Sequence, residues 1–214
     1  MKIYVLGDTH GYWNLLNNFI NKNQPDIIFQ CGDFGYWPAF PEFSLNKIKN
    51  KDTVIYWCPG NHESWIDLNL LKSNEVHPKI FYMKRGSTFL LPDGRRVLFM
   101  GGARSVDKHL RTPGYDWFPE EDISQKDLQD LPDEKIDIVI SHTCPMEFPV
   151  ESKYDIRRMK DSNRQALSII LKKYQPKLWY FGHWHYYTSG FTNNCKWYCL
   201  DQIPEGKYYL ELEE

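Results

Sequence analysis

Five short stretches of this 214-residue chain carry residue types that hold metals and move protons. They are "GDTHG" with Asp8 and His10, "GDFG" with Asp33, "PGNHE" with Asn61 and His62, "SHTCP" with His142, and "GHWH" with His183 and His185. Five of the seven histidines fall in these stretches, and histidines serving only as packing would not sort this way. His183 and His185 are two residues apart, so in extended backbone their rings share a face. Imidazole, carboxylate and amide without a clear thiolate suit Mn, Fe, Zn, Ni or Co better than Ca. Asp8, His10, Asp33, Asn61, His142, His183 and His185 make seven candidate ligands. That is too many for one four-coordinate ion and right for two ions sharing a carboxylate. Two ions about 3.5–4 Å apart clamp the attacking and leaving oxygens of an in-line displacement. Phosphate-ester hydrolysis, among the slowest uncatalysed reactions, needs such a clamp most. His62 is not required as a ligand and is available to protonate a leaving alkoxide.

Each stretch follows an apolar run that must position it. "KIYVL" (2–6), "DIIFQC" (26–31), "TVIYWC" (53–58), "IDIVI" (136–140) and "KLWYF" (177–181) read as buried strands. "WNLLNNFINK" (13–22) and "DSNRQALSIILKKY" (161–174) read as helices. "STFLLPDGRRVLFM" (87–100) reads as a hairpin with a type I′ turn at Asp93-Gly94, and "FTNNCKWYCLDQ" (191–202) as a second hairpin. The alternation predicts a layered α/β fold with mixed sheets, and loops at the carboxyl ends of strands are where such folds bind ligands. The length, and the lack of any repeat or linker, predict a single domain over 1–214.

The stretch 103–135 fits the alternation least and reads as a loop or small cap with a short helix. Within it, Arg104, Arg111 and His109 are candidate substrate contacts, an arginine there offering a bidentate grip on phosphate. Tyr115, Trp117 and Phe118 either stack on a base or, as the simpler expectation, anchor the excursion. The acidic stretch 120–134 and the final "ELEE" read as surface charge. The basic run 153–164 reads as a solvated face that can also steer an anion.

Composition narrows the class. A hydrophobic fraction of 42% with 8 Trp, 14 Tyr and 12 Phe indicates a folded globular chain. A net charge of −2 gives no duplex-DNA footprint, while a nucleotide or single-stranded nucleic acid stays open. An aspartate at position 8 leaves no room for a secretory apolar segment, and no stretch approaches a membrane span, so no membrane partner is expected. Five irregularly spaced cysteines make no disulfide framework. The expected location is cytoplasmic, and the oligomeric state is left open.

The ordered set "GDTHG", "GDFG", "GNHE", "SH" and "GHWH", spanning residues 7 to 185, resembles the calcineurin-like metallophosphoesterase superfamily. The resemblance implies a four-layer α/β/β/α sandwich of two mixed sheets, with a dimetal site at the carboxyl ends of the strands. It implies Asp8, His10, Asp33 and His185 around one metal, and Asp33, Asn61, His142 and His183 around the other. Manganese ranks first among the metals that the ligand set suits. The implied reaction is hydrolysis of a phosphomonoester or phosphodiester by a bridging hydroxide attacking phosphorus in line, with Asp33 and His62 as catalytic residues. The alternatives are a catalytically silent scaffold on the same fold, or a single-strand nuclease. The protein Ser/Thr phosphatase branch continues its second motif as "GDxVDRG"; here "GDFGYWP" lacks that arginine, which disfavours that branch.

Overall fold

In the computed structural model, which describes residues 1–150 and 161–213, the apolar runs form short strands buried on both faces. The chain order is β1 (Ile3–Leu6), α1 (Trp13–Asn23), β2 (Ile27–Gln30), β3 (Val54–Trp57), α2 (Trp65–Leu70), β4 (Glu75–His77), β5 (Ile80–Tyr82), β6 (Thr88–Leu90) and β7 (Arg96–Met100). There follow α3 (Gln125–Gln129), β8 (Ile138–Ser141), α4 (Ser162–Tyr174), β9 (Leu178–Phe181), β10 (Thr188–Thr192), β11 (Cys195–Cys199) and β12 (Tyr209–Glu211).

The strands make two six-stranded sheets, ordered β12-β1-β2-β3-β5-β4 and β10-β11-β9-β8-β7-β6. In the first, β1, β2, β3 and β5 are parallel, and the edges β12 and β4 are antiparallel. The second repeats the plan, with β11, β9, β8 and β7 parallel between antiparallel β10 and β6. Central parallel strands are covered on both sides, which is why they read as apolar runs and not as alternation.

Three cores stack into four layers. Val5 and Phe29 of the first sheet meet Val97, Phe99, Ile140 and Tyr180 of the second. Leu16, Phe19 and Ile20 of α1 cover Tyr4, Leu6 and Trp57 on the outer face of the first sheet. Leu167, Ile170 and Leu171 of α4 cover Val139, Trp179 and Phe181 on the outer face of the second. The spacing of those residues at three and four puts each set on one helix face. Asp161 caps α4 by accepting from the Arg164 N–H at 3.1 Å, and α1 ends at Gln24 in the left-handed region.

Two turns differ in kind. The β6–β7 connection is not type I′, because Gly94 has φ +88° while Asp93 is not positive. Pro92 holds its own φ negative, which selects a type I turn followed by a left-handed glycine. The β10–β11 connection has positive φ at both Asn193 and Asn194, as a type I′ turn requires. The excursion after β7 contains two short 3-10 turns, at Lys108–Leu110 and Pro119–Glu121, and α3, which starts with a Ser124–Asp127 capping box. Among the described residues no helix is long and apolar enough to cross a membrane.

Candidate functional site

All five stretches lie at the carboxyl ends of parallel strands: those of β1, β2 and β3 in one sheet, and of β8 and β9 in the other. Because the two sheets pack face to face, these ends meet. Asp8, His10, Asp33 and His185 each present a ligand atom, and all four atoms lie within 4.8 Å of one another. His185 Nε2 is 3.0 Å from Asp8 Oδ2 and 3.2 Å from His10 Nε2. On the other side of Asp33, His142 Nε2 lies 3.3 Å from Asp33 Oδ1 and 3.1 Å from Asn61 Oδ1. The His142 and His183 rings are 5.0 Å apart. Asp33 therefore stands between two groups of donors.

Hydrogen bonds settle which atoms face inward. His142 Nδ1–H donates to the Cys31 carbonyl at 2.9 Å, which turns Nε2 toward Asp33 and Asn61. Asn61 Nδ2 donates to Ser105 Oγ at 3.2 Å, so its Oδ1 faces the cluster. Nε2 thus meets two acceptor oxygens, an arrangement that calls for a proton or a metal ion between them. The charges agree. Burial alone would hold the His142 ring down, but Asp33 and Asp8 overcome it and raise it to about 10. Burial and the neighbouring His142 hold His183 well below the usual histidine range, leaving a neutral ring with a lone pair to share. Asp33 resists burial and is held well below the carboxylate range by His142 and His62. A field that favours cations, combined with neutral imidazole and anionic carboxylate donors, fits divalent transition metals.

The backbone is bent to achieve this. His10, Asp33, His183 and His185 have φ of 46°, 51°, 71° and 50°, a left-handed region that costs a non-glycine residue about 1–3 kcal/mol. The strain is offset locally: His10 N–H donates to the Asp33 carbonyl at 2.7 Å, His62 N–H to Asp33 Oδ1 at 2.8 Å, and His183 N–H to the Asp8 carboxylate at 3.1 Å. Gly60 is required for contact reasons. A Cβ there would lie 2.5 Å from the Asp33 nitrogen and 2.7 Å from His142 Nε2.

The profile of the calcineurin-like phosphoesterases matches residues 1–187. The chain belongs to the calcineurin-like phosphoesterase family. No curated protein matches it. Among solved structures, the phosphopantetheinyl hydrolase PptH of Mycobacterium tuberculosis is similar with a TM-score of 0.50 and 12% identity, over 99% of this chain and 96% of that one. GAP50, described as the anchor in the inner membrane complex of Plasmodium, is similar with a TM-score of 0.52 and 13% identity, over 98% and 76%. At these identities the likeness is one of fold. The metal dependence of the calcineurin-like phosphoesterases matches the Asp/His group found here.

In this family member the residues expected from the sequence divide clearly. The seven candidate ligands and His62 converge. Arg111 reaches the site, with Nη2 2.7 Å from His62 Nε2 and Nη1 3.2 Å from the Asn61 carbonyl. Arg104 lines a small cavity with Asp161 and His183. His109 does not join them: it is exposed on the 3-10 turn at Lys108–Leu110. Phe118 is buried beside Trp37, and Trp117 hydrogen-bonds Glu121 under the Lys108 ammonium. Both therefore anchor the excursion, while Tyr115 is exposed. Of the basic run 153–164, residues up to 160 lie outside the described residues. Arg164 is buried and donates to the carbonyls of Cys144, Pro145 and Phe148, so it braces the His142 loop and does not steer an anion.

Three contributors, Glu121, Ser105 and Glu63, escaped the sequence reading, and Trp37 makes a contact that it did not foresee. Glu121 lies in a stretch expected to be surface charge, yet it is buried and accepts from Ser105 and Trp117. Ser105 follows β7 in "MGGARS", a glycine-rich strand end of the same kind as the other five, though without a histidine to mark it. Glu63 accepts from the Gly35 and Gly60 N–H groups, tying two of the loops together; burial and the nearby Asp33 push its carboxyl up to about 8. Trp37 Nε1 donates to the His62 carbonyl at 2.7 Å.

Proposed function

We propose that this chain is a metal-dependent hydrolase of phosphate esters working with two divalent ions, manganese first, with Fe, Zn, Ni or Co as alternatives. Asp8, His10, Asp33 and His185 hold one ion; Asn61, His142 and His183 hold the other, with Asp33 shared. The observation that carries the reading is the convergence of lone pairs on both sides of Asp33, with those of Asn61 and His142 fixed by a hydrogen bond on the far side. When bound, the two ions supply Lewis acidity and an activated water.

The chain's own residues do the rest. Arg111 donates to His62 Nε2, so that nitrogen carries the lone pair. Burial, reinforced by the Arg111 guanidinium and neighbouring imidazoles, lowers the His62 ring below its ordinary range against the pull of Asp33. An entering phosphoryl oxygen takes over the guanidinium's hydrogen bond, a charge-assisted exchange. His62 Nε2 is then free to accept the proton given up by the attacking water and to return it to the leaving oxygen. The single domain spans 1–214, with the excursion at 103–135 as its cap over the substrate. The five cysteines are free and buried, which supports a reducing, cytoplasmic setting.

Metal analysis after reconstitution with Mn²⁺ tests the assignment. Two ions per chain are expected, falling in Asp33→Asn. One ion or none in the parent would overturn it.

A further inference from the structure

The excursion after β7 touches the cluster at a place the ligand assignment does not use. Asn61 Nδ2 donates to Ser105 Oγ at 3.2 Å. The Ser105 hydroxyl donates onward to Glu121 Oε2 at 2.8 Å, and the Ser105 N–H donates to Glu121 Oε1 at 3.0 Å. Trp117 Nε1 adds a third donor to that carboxylate at 2.7 Å. Asn61, Ser105 and Glu121 are all buried, so no water competes for these bonds.

The direction of donation matters more than the number of bonds. A carboxylate with three donors around it can only accept. It therefore takes the single Ser105 hydroxyl proton, leaving that oxygen only lone pairs to offer Asn61. Asn61 can answer with its NH₂ group and not with its oxygen. The amide oxygen is thereby fixed toward His142 Nε2 at 3.1 Å.

We propose that Glu121, acting through Ser105, is a positioning residue that locks the Asn61 amide with its oxygen toward the second metal. This rests on the two-metal reading above. It also ties the excursion to metal binding, because the Glu121 main chain is clamped in turn. Arg85, its side chain nearly enclosed, donates to the carbonyls of Glu120, Glu121 and Asp122.

Glu121→Gln tests the relay. The new amide can donate to Ser105 Oγ, which frees the hydroxyl proton to point at Asn61 and lets the amide reverse. Mn²⁺ titration followed by electron paramagnetic resonance separates a lone ion from a spin-coupled pair. The parent is expected to bind two ions. Glu121→Gln should keep the first affinity and weaken the second by about 10–100-fold, the usual effect of removing an orienting partner. Ser105→Ala should do the same if Glu121→Gln fails to fold. The deciding comparison is made in Asn61→Asp, whose two oxygens are equivalent and need no orientation. There, adding Glu121→Gln should leave the second affinity unchanged. Equal weakening in both backgrounds would reduce Glu121 to a packing role and overturn the proposal. So would an unaltered second affinity in Glu121→Gln and Ser105→Ala. A parent that binds fewer than two ions would instead remove the two-metal reading, and the relay with it.

Discussion

Arg111 donates to His62 Nε2 at 2.7 Å while its Nε pairs with Asp107 at 2.8 Å. One guanidinium thus joins the excursion to the loop after β3, and its side chain is almost fully enclosed. Such a residue is well held yet retains an exchangeable hydrogen bond, which suits it to meet a phosphoryl oxygen. The second motif, "GDFGYWP", has no arginine of its own.

Arg111→Ala is therefore expected to lower kcat/KM for a small aryl phosphate by about 10- to 100-fold, the worth of one hydrogen bond to a charged group. Metal content should stay at the parent's level. Steady-state kinetics beside metal analysis checks this, and unchanged kinetics would remove Arg111 from the substrate site. His109→Ala, on an exposed turn, should change neither quantity.

Metal removal should cost stability as well as activity. Two buried carboxylates, Asp8 and Asp33, stand among imidazoles in a cation-favouring field. Ions that bind only the folded chain stabilise it by about 2.7 kcal/mol at a hundred times their dissociation constant. Chelation should lower the thermal midpoint by several degrees, and Mn²⁺ should restore it. A midpoint indifferent to both treatments would contradict a buried metal centre.

Gly60→Ala should damage the site more than the fold. The added methyl lands on Asp33 and His142, so metal binding and turnover should both fall. Gly94→Ala is the matching control. Its methyl meets nothing within 4 Å, but φ is +88°, so stability should drop by about 1 kcal/mol with turnover retained. Thermal denaturation and metal analysis on the two variants separate these outcomes.

Phe148 fixes the far end of the His142 loop. It is fully buried, stacked on Trp197 at 5.2 Å and edge-on to Trp179 at 5.6 Å. Phe148→Ala should destabilise the chain by about 3–5 kcal/mol, measured by denaturant unfolding. A loss under 1 kcal/mol would mean that the loop is held by Arg164 alone.

Much of this was legible from residue order because the central strands are parallel and doubly covered. Runs such as "DIIFQC" then stand out, and the polar residues after them must lie at one end of the sheets. What stayed hidden was long-range or short. β12 pairs Tyr209 with Leu6 and Glu211 with Tyr4 across the length of the chain, and "YYLELEE" gives no local sign of that partner. β4 and β5 have three residues each, too few for a period. Glu121 looked like surface charge because its neighbours are acidic; only the fold shows it turned inward to Ser105. The type of the β6–β7 turn followed from Pro92, one residue before the pair that seemed to define it.

The most direct test of the two-metal phosphoesterase reading is a paired hydrolysis assay. p-Nitrophenyl phosphate and bis-p-nitrophenyl phosphate are compared with added Mn²⁺, in the parent and in Asp33→Asn. The account predicts Mn²⁺-dependent release of nitrophenolate from at least one substrate, abolished in Asp33→Asn, with the preferred substrate revealing monoester or diester chemistry. Two ions bound and no Asp33-dependent turnover of either substrate would contradict it and point to a silent scaffold on the same fold.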